Sequence, residues 1–165
     1  MSVLSKPEIL KHYKVGNIVI DPFNPSNLGN ASYDVRLGSH FYRQLTLKHT
    51  EILNPFSQES LNKMYAKLEE AVLVKELKSE INSFQNLKPT DKVILIAPNE
   101  TILAHTIEFI GGKNGVGGLS AVTSEMRARS SIGRIGIAVC KCAGWGDIGY
   151  INRWTMEITN FSSSV

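Results

Sequence analysis

The residues best suited to bind a ligand and react with it lie between positions 129 and 160. The segment Arg129–Arg134 reads RSSIGR, with an arginine at each end of a serine pair and a glycine. A guanidinium group offers phosphate oxygens a fixed fork of donors, hydroxyls add further donors, and a glycine lets backbone N–H groups come close to an anion. This composition indicates a phosphate-binding segment. An ordinary turn between strands, with its arginines at the surface, explains the same residues equally well.

A carboxylate follows in a segment that alternates like a strand. Between Arg153 and Asn160, one face carries Thr155, Glu157 and Thr159, because successive side chains of a strand point to opposite faces. The other face carries the apolar residues Trp154, Met156 and Ile158. A carboxylate lining a pocket can take a proton from water and return it to a leaving group. A row of solvent-facing side chains is the alternative interpretation.

A second acidic residue stands in a glycine-rich turn, where Asp147 follows Gly146. Its side chain either caps that turn or binds a hydroxyl group of a sugar. The sequence alone leaves both roles open.

Histidine and cysteine patterns argue against a metal centre. His49–Glu51 matches the H-x-E half of the zinc deaminase signature, but the P-C-x-x-C half is missing, and Cys140 and Cys142 have the wrong spacing. The histidines show no i, i+4 pair. No G-x-S-x-G segment marks a serine hydrolase. We therefore expect no zinc and no metal held by protein side chains.

Short strands separated by glycine, proline and asparagine turns make up most of the chain. SYDVRL and HFYRQLTL alternate as half-buried strands, and KVILIA and ETILAHTIEFI resume the pattern after Asp91. The connector Gly111–Gly118 lacks the Lys-Ser/Thr ending of a phosphate loop and is interpreted as a flexible hairpin. The pattern predicts an all-β barrel or jelly roll.

Two segments carry helical signals. Ser5 and Glu8 resemble a capping box and predict a short N-terminal helix. Between Ser57 and Phe84, apolar residues recur at helical spacing and predict a helical insertion. Within it, Ala71–Val74 is also compatible with a short strand.

Size and composition narrow the class of protein. A chain of 165 residues is one domain's worth, and a net charge of +3 does not indicate a nucleic-acid partner. No apolar run approaches the roughly 20 residues of a membrane span, and the N-terminus lacks a signal-peptide core. Two cysteines one residue apart are too close to bridge comfortably, so we expect a reducing, cytoplasmic setting.

Taken together, these blocks resemble the dCTP deaminase branch of the dUTPase-like trimeric nucleotide hydrolases. The pattern R-S-S-x-x-R-x-G is matched by Arg129–Gly136, A-x-x-x-D-x-G by Ala143–Gly149, and x-E-x-x-N by the strand end at Glu157–Asn160. Upstream, Ala31–Gly38 is similar to the family block S-Y-D-L-R-L-G. The resemblance covers most of the chain from about Ile18 onward.

The resemblance implies a fold and a reaction. The fold is a mainly β, dUTPase-like distorted jelly-roll β-barrel, with a short N-terminal helix and a helical insertion at about 57–84 in a single domain over residues 1–165. The reaction is the zinc-independent, hydrolytic deamination of dCTP to dUTP and ammonia in pyrimidine deoxynucleotide metabolism. An enzyme of this kind is a hydrolase acting on the C–N bond of a cyclic amidine.

The resemblance also implies roles for individual residues. Glu157 is expected to act as general base, supported by Ser130, Arg134 and the backbone at Ala143. Substrate contacts are expected at Arg129, Ser130, Ser131, Ile132, Gly133, Arg134, Asp147, Tyr150, Thr155 and Met156. Of these, the arginine-serine segment faces the triphosphate, Asp147 the deoxyribose, Tyr150 the nucleoside, and the backbone of Thr155 and Met156 the base.

Partners and alternatives follow from the same resemblance. Mg²⁺ is expected to arrive bound to the substrate triphosphate, and the protein to be a homotrimer with active sites between subunits, without nucleic-acid or membrane partners. A dUTPase, or a bifunctional deaminase and pyrophosphatase that forms dUMP, is an alternative within the superfamily. A nucleotide-binding regulatory protein without turnover is an alternative of another class.

Two departures from the family pattern accompany the resemblance. Gly146 and Ile148 stand where relatives usually carry an aliphatic residue and proline, which predicts a looser turn before Asp147. The chain also ends at Val165, where relatives continue with a C-terminal segment that closes over the phosphates, so we expect either that the sequence is incomplete or that this segment is absent.

Overall fold

The computed structural model describes residues 2–45, 52–77 and 84–165. Its helices are α1 (Lys6–Lys14), α2 (Gln58–Asn62) and α3 (Ser130–Arg134). Its strands are β1 (Ile18–Asp21), β2 (Leu37–Arg43), β3 (Glu69–Glu70), β4 (Val72–Leu73), β5 (Lys92–Val93), β6 (Thr101–Gly112), β7 (Ser124–Glu125), β8 (Ile137–Val139), β9 (Trp145–Gly146) and β10 (Asn152–Asn160). Among the described residues, no helix is long and apolar enough to cross a membrane.

The strands pair mainly in one antiparallel sheet. Its order is β3-β2-β6-β10-β8, with β1 also paired to β6, while β4 with β5 and β7 with β9 form two-stranded ladders. The mainly β architecture predicted from the sequence is confirmed. In the described part of the chain the strands do not close into a barrel, because the order ends at β3 and β8, and each pairs on one side only.

Contacts divide the chain into two compact units. Unit 1 comprises Met1–Gly38, His105–Arg129 and Val139–Met156, and unit 2 comprises Ser39–Ala104, Ser130–Ala138 and Glu157–Val165. The prediction of a single domain remains a prediction.

Unit 1 has an aromatic core. Ile20, Ile110 and Trp154 are buried together, and partly buried aromatic rings pack against them. Tyr13 and Phe23 are stacked with their ring centroids 4.3 Å apart. Packing of this kind holds α1 to β1 and to the long strands β6 and β10.

The N-terminal helix and its N-cap residue, Ser5, are confirmed, although the predicted capping box does not form. Helix α1 has a proline in its first turn, and Ile9 faces the core with 7% of its surface exposed. The Ser5 side chain makes no capping hydrogen bond, and the Ser5 carbonyl instead accepts from the Ile9 N–H at 2.8 Å. Burial of the apolar face, rather than a side-chain cap, therefore stabilises this helix.

Unit 2 contains the predicted insertion, whose helix is shorter than expected. Helix α2 covers five residues, and the Ser57 hydroxyl accepts from the Ser60 N–H at its start. The chain then turns into β3 and β4, so the strand alternative noted at positions 71–74 is the one observed at Val72–Leu73. Val72 pairs with Val93 across the β4–β5 ladder, a long-range partner that helical periodicity does not reveal. Residues 78–83 of the insertion lie outside the described ranges.

An ion-pair network ties the insertion to the long strand within unit 2. Arg43 donates to Glu69 at 3.0 Å and to Glu100 at 2.6 Å, and its guanidinium lies 5.0 Å from the centre of the Phe41 ring. Although partial burial lowers the pKa of Arg43, these two carboxylates raise it more, so that the net shift is upward. The network fixes β3 beside β2.

Candidate functional site

The predicted phosphate-binding residues of unit 2 form helix α3, a single helical turn. Ser130, Ser131, Ile132, Gly133 and Arg134 are all exposed. Within the described ranges, the side chains of Ser130, Ser131 and Arg134 form no hydrogen bond or ion pair, and a Cβ added to Gly133 would meet no atom within 4 Å. The segment is therefore an open, cationic turn whose donors are available to an anion.

Arg129, the first residue of that motif, belongs to unit 1 and has an acidic neighbour. One of its terminal nitrogens lies 3.5 Å from an oxygen of Asp34, with 72% of the arginine and 43% of the aspartate side chain exposed. An exposed pair of this kind contributes little to stability, but it orients the guanidinium. Asp34 lies in the block Ala31–Gly38, whose sequence predicted no role for this residue.

The same block contributes a second ion pair, in which only the acidic partner is buried. The carboxylate of Glu108 is fully buried and accepts from the Arg36 backbone N–H at 2.9 Å and from Arg36 Nε at 2.7 Å. The hydrogen bond to Glu108 raises the pKa of Arg36. Sequence reasoning missed Glu108, because its position in a β-strand pattern gave no signal of a partner 72 residues away.

The candidate general base lies in β10 within unit 2. The side chain of Glu157 is partly buried and has no hydrogen-bond or ion-pair partner in the described part of the chain. The predicted alternation holds around it: Trp154, Met156 and Ile158 are buried, while Thr155 is exposed. It fails at the end of the strand, where Thr159 is buried and its hydroxyl lies 2.8 Å from that of Thr101.

Asn160, the last residue of the x-E-x-x-N block, is buried and anchors the end of β10. Its amide donates to Ile96 O at 2.8 Å and to Ser164 O at 2.7 Å, and its side-chain oxygen accepts from the backbone and hydroxyl of Ser162. These bonds fix the strand three residues beyond Glu157. The asparagine of this block therefore has a structural role that can be stated without a ligand.

The remaining predicted residues belong to unit 1. Asp147 and Tyr150 are exposed on the turn after β9, and the Tyr150 N–H donates to Asp147 O at 3.1 Å. Ala143 is exposed, and its N–H donates to Cys140 O at 3.0 Å. Because the N–H is already bonded, the carbonyl is the backbone group of Ala143 that could contact a ligand. In β10, Thr155 is exposed and Met156 is buried.

The prediction of a loose turn at Gly146 is wrong. Gly146 is buried in β9, where it pairs with Ser124, and its carbonyl accepts from the Thr123 hydroxyl. A Cβ at this position would overlap the ring of Trp154. Close packing, rather than backbone freedom, explains the glycine, and the Gly149 N–H to Gly112 O bond of 2.7 Å holds the other end of the turn.

One hydroxyl joins β6 to β10 inside unit 1. Thr106 is fully buried, and its hydroxyl donates to Glu108 O at 2.7 Å and accepts from the Trp154 N–H at 2.9 Å. The Thr106 side chain therefore holds the backbone of Trp154, the residue before Thr155 and Met156.

Metal ligands are not gathered in the described part of the chain. No three His, Cys, Asp or Glu side chains there form a group that could hold a metal ion. The expectation that Mg²⁺ arrives on the triphosphate, without zinc, remains a prediction.

Comparison with known proteins identifies the class. The family model described as dCTP deaminase-like matches residues 3–165, and the chain therefore belongs to that family. It is 29% identical to the "dCTP deaminase, dUMP-forming" of Methanococcus aeolicus, over 99% of this chain and 76% of the relative. It is 31% identical to the protein of the same name from Methanopyrus kandleri, over 98% of this chain and 72% of the relative.

A solved structure supports the fold. The chain resembles the 2'-deoxycytidine 5'-triphosphate deaminase from Agrobacterium tumefaciens with a TM-score of 0.57 and 15% identity, over 95% of this chain. The matched region spans 41% of that chain's length. The likeness bears on the fold alone, and the predicted mainly β, dUTPase-like class is confirmed.

Proposed function

We propose that this protein hydrolyses the C4 amino group of dCTP, with Glu157 as the general base. The observation that carries the proposal is a partly buried carboxylate on β10 that no cation neutralises in the described part of the chain, in a member of the dCTP deaminase-like family. In the reaction, water adds to C4 of the cytosine ring and ammonia leaves. dCTP and one water thus give dUTP and ammonia.

Glu157 would move a proton twice in this reaction. Its carboxylate takes a proton from the attacking water, and the resulting carboxylic acid protonates the amino group that leaves as ammonia. A carboxylate held in an ion pair would be a poorer base, because a cation stabilises its charged form. The absence of such a partner among the described residues fits this role.

The other predicted residues supply binding. Arg129 and the segment Ser130–Arg134 would contact the triphosphate, whose own oxygens would hold Mg²⁺. Ser130 and Arg134 would also support the reacting centre, and the Ala143 carbonyl would accept from the attacking water. Asp147 would bind the deoxyribose hydroxyl, and Tyr150 would pack beside the nucleoside. The backbone of Thr155 and Met156 would contact the base.

Replacing the general base tests the proposal. Glu157→Gln should bind dCTP with similar affinity, because the amide keeps the shape of the side chain, while ammonia release falls by about 10²–10⁴-fold. Glu8→Gln is the matched control, because the Glu8 side chain is 47% exposed on α1 and pairs with Lys11, and it should release ammonia at the wild-type rate. Undiminished turnover by Glu157→Gln would refute the assignment. Tight dCTP binding by the wild-type protein without any product would favour the nucleotide-binding regulatory alternative.

A second candidate concerns the final product. The relatives from Methanococcus aeolicus and Methanopyrus kandleri are both named dUMP-forming, which favours the bifunctional alternative over release of dUTP. In that case a second water would also release diphosphate. Incubation with dCTP, and separately with dUTP, followed by measurement of ammonia, diphosphate and the nucleotide product, distinguishes the two outcomes. dUTP accumulating without diphosphate would contradict the bifunctional assignment.

Assembly and metal use are part of the same proposal. We propose a homotrimer with sites between subunits, which light scattering of the purified protein would test through its molar mass. Turnover restored by Mg²⁺ after chelation, and unaffected by a zinc-selective chelator, is the expected result for substrate-borne magnesium. Dependence on added zinc would contradict it. A cytoplasmic location remains a prediction.

A further inference from the structure

The side chain of Trp154 is held in one orientation within unit 1. It is 5% exposed, and its indole N–H donates to Ile110 O at 3.2 Å. Its backbone N–H donates to the Thr106 hydroxyl at 2.9 Å. The indole N–H bond and the burial of the ring therefore hold it in this orientation, while the backbone bond fixes the strand that carries it.

The far edge of that ring occupies the space beside Gly146. An added Cβ there would overlap the Cζ2 and Cη2 atoms of the indole, and both are rigid ring atoms that cannot yield as a flexible chain end would. Gly146 does not have a positive φ, so backbone conformation does not demand glycine. The residue is small because the indole of Trp154 is large.

The same ring also lies near the end of the turn. The rings of Tyr150 and Trp154 have centroids 6.3 Å apart and planes inclined by 54°, a tilted aromatic pair. Trp154 therefore packs at Gly146 and at Tyr150, which bracket the exposed Asp147. On the other side, a Cβ added to Gly111 would overlap the Tyr150 carbonyl, so the turn rests closely on β6.

We propose that Trp154 and Gly146 form a size-matched pair that positions the turn at residues 147–150, the nucleoside-binding turn of the proposed reaction. The inference rests on the proposed function, in which Asp147 faces the sugar and Tyr150 the nucleoside. Trp154 is a positioning residue, since its side chain is buried beneath the turn. Displacing the turn would move Asp147 and weaken substrate binding, while the proton transfer at Glu157 would proceed once substrate is bound.

Exchanging the sizes of the two residues tests the pair. We would compare Gly146→Val, Trp154→Leu and the double variant, measuring kcat and KM for dCTP, and Kd for dCTP by calorimetry. Each single variant should raise KM and Kd for dCTP by about tenfold, because the displaced turn no longer holds Asp147 and Tyr150 in place, while kcat should change by less than about twofold. The double variant should recover much of the lost affinity, because valine returns volume that the indole vacates.

A buried aromatic ring of unit 2 provides the control. Phe41→Leu removes a buried ring from unit 2 and should lower the melting temperature without changing KM for dCTP. Additive losses in the double variant, or a fall in kcat with unchanged KM, would overturn the inference. Binding of dCTP without ammonia release by the wild-type protein would refute the proposed reaction and leave the pair to be judged by the Kd values of the variants. A wild-type protein that does not bind dCTP would refute both.

Discussion

The buried carboxylate of Glu108 provides the sharpest test of the fold. Glu108→Gln keeps the shape of the side chain but can accept only one of the two bonds that Arg36 donates, so one N–H donor is left facing an amide N–H₂ group. A hydrogen bond to a charged acceptor contributes about 1.5–3 kcal/mol, and leaving a buried partner unsatisfied costs about 1–3 kcal/mol. Because the Arg36 side chain is 46% exposed and can turn to water, we expect a loss of about 3 kcal/mol rather than the full sum.

That loss is large compared with the total free energy of unfolding. The free energy of unfolding of a domain of this kind is about 5–15 kcal/mol. A loss of about 1 kcal/mol lowers the melting temperature of a chain this size by roughly 2–4 °C. Glu108→Gln should therefore melt about 6–12 °C below the wild-type protein, with a matching fall in the urea midpoint.

Glu125→Gln is the matched control, since Glu125 pairs with Arg127 at the surface. It should shift the midpoint only slightly, because exposed ion pairs contribute little. A Glu108→Gln shift no larger than that of Glu125→Gln would refute the argument that this carboxylate is buried and depends on Arg36.

Three further predictions concern unit 2. Asn160→Ala should destabilise the protein by about 2–4 kcal/mol in urea unfolding, because it removes several buried hydrogen bonds at once, and a loss below 1 kcal/mol would contradict the network. Gly136→Ala should cost about 1–2 kcal/mol in the same assay, since Gly136 has a φ of +86° and any L side chain is strained there; Gly133→Ala, at a position without a positive φ, should not share this backbone cost. The hydrogen bond from Lys92 lowers the pKa of Glu70, so this pair stabilises the fold above the unfolded pKa of about 4.3 and ceases to do so as pH falls through the lower folded value. Lys92→Met should therefore lower the thermal midpoint slightly at pH 7 and leave it unchanged at pH 2, and an equal shift at both pH values would exclude the pair as the cause.

Local patterns predicted the parts of the fold that depend on local structure. Alternation in residues 154–158 predicted the correct buried and exposed faces of β10, and the resemblance of Ser5 and Glu8 to a capping box predicted α1, although the box itself does not form. The insertion was predicted less well, because the pairing of Val72 with Val93 and of Glu69 with Phe41 outweighs the helical periodicity of the segment. Propensity describes neighbours in sequence, whereas these strands depend on partners more than 20 residues away.

The same limit applies to the candidate site, where local patterns selected residues but did not show their distant partners. Residue types and spacing were enough to select the segment Arg129–Arg134 and Glu157 as candidates, and their roles stay predictions. They gave no indication that Glu108 pairs with Arg36, or that Gly146 is small because Trp154 is large. Each of these is a relation between two distant positions, which one sequence without relatives cannot display.

The Thr106 hydroxyl has a consequence for how the protein opens. The Trp154 N–H donates to this side chain rather than to a backbone carbonyl, so its protection from solvent exchange depends on the rotamer of one buried threonine. In a hydrogen-exchange experiment the Trp154 amide would report local opening of the β6–β10 contact separately from global unfolding. Valine at position 106 would keep the volume but abolish that protection, while serine would keep it. A single side chain thus decides whether β10 opens at Trp154 independently of the rest of the sheet.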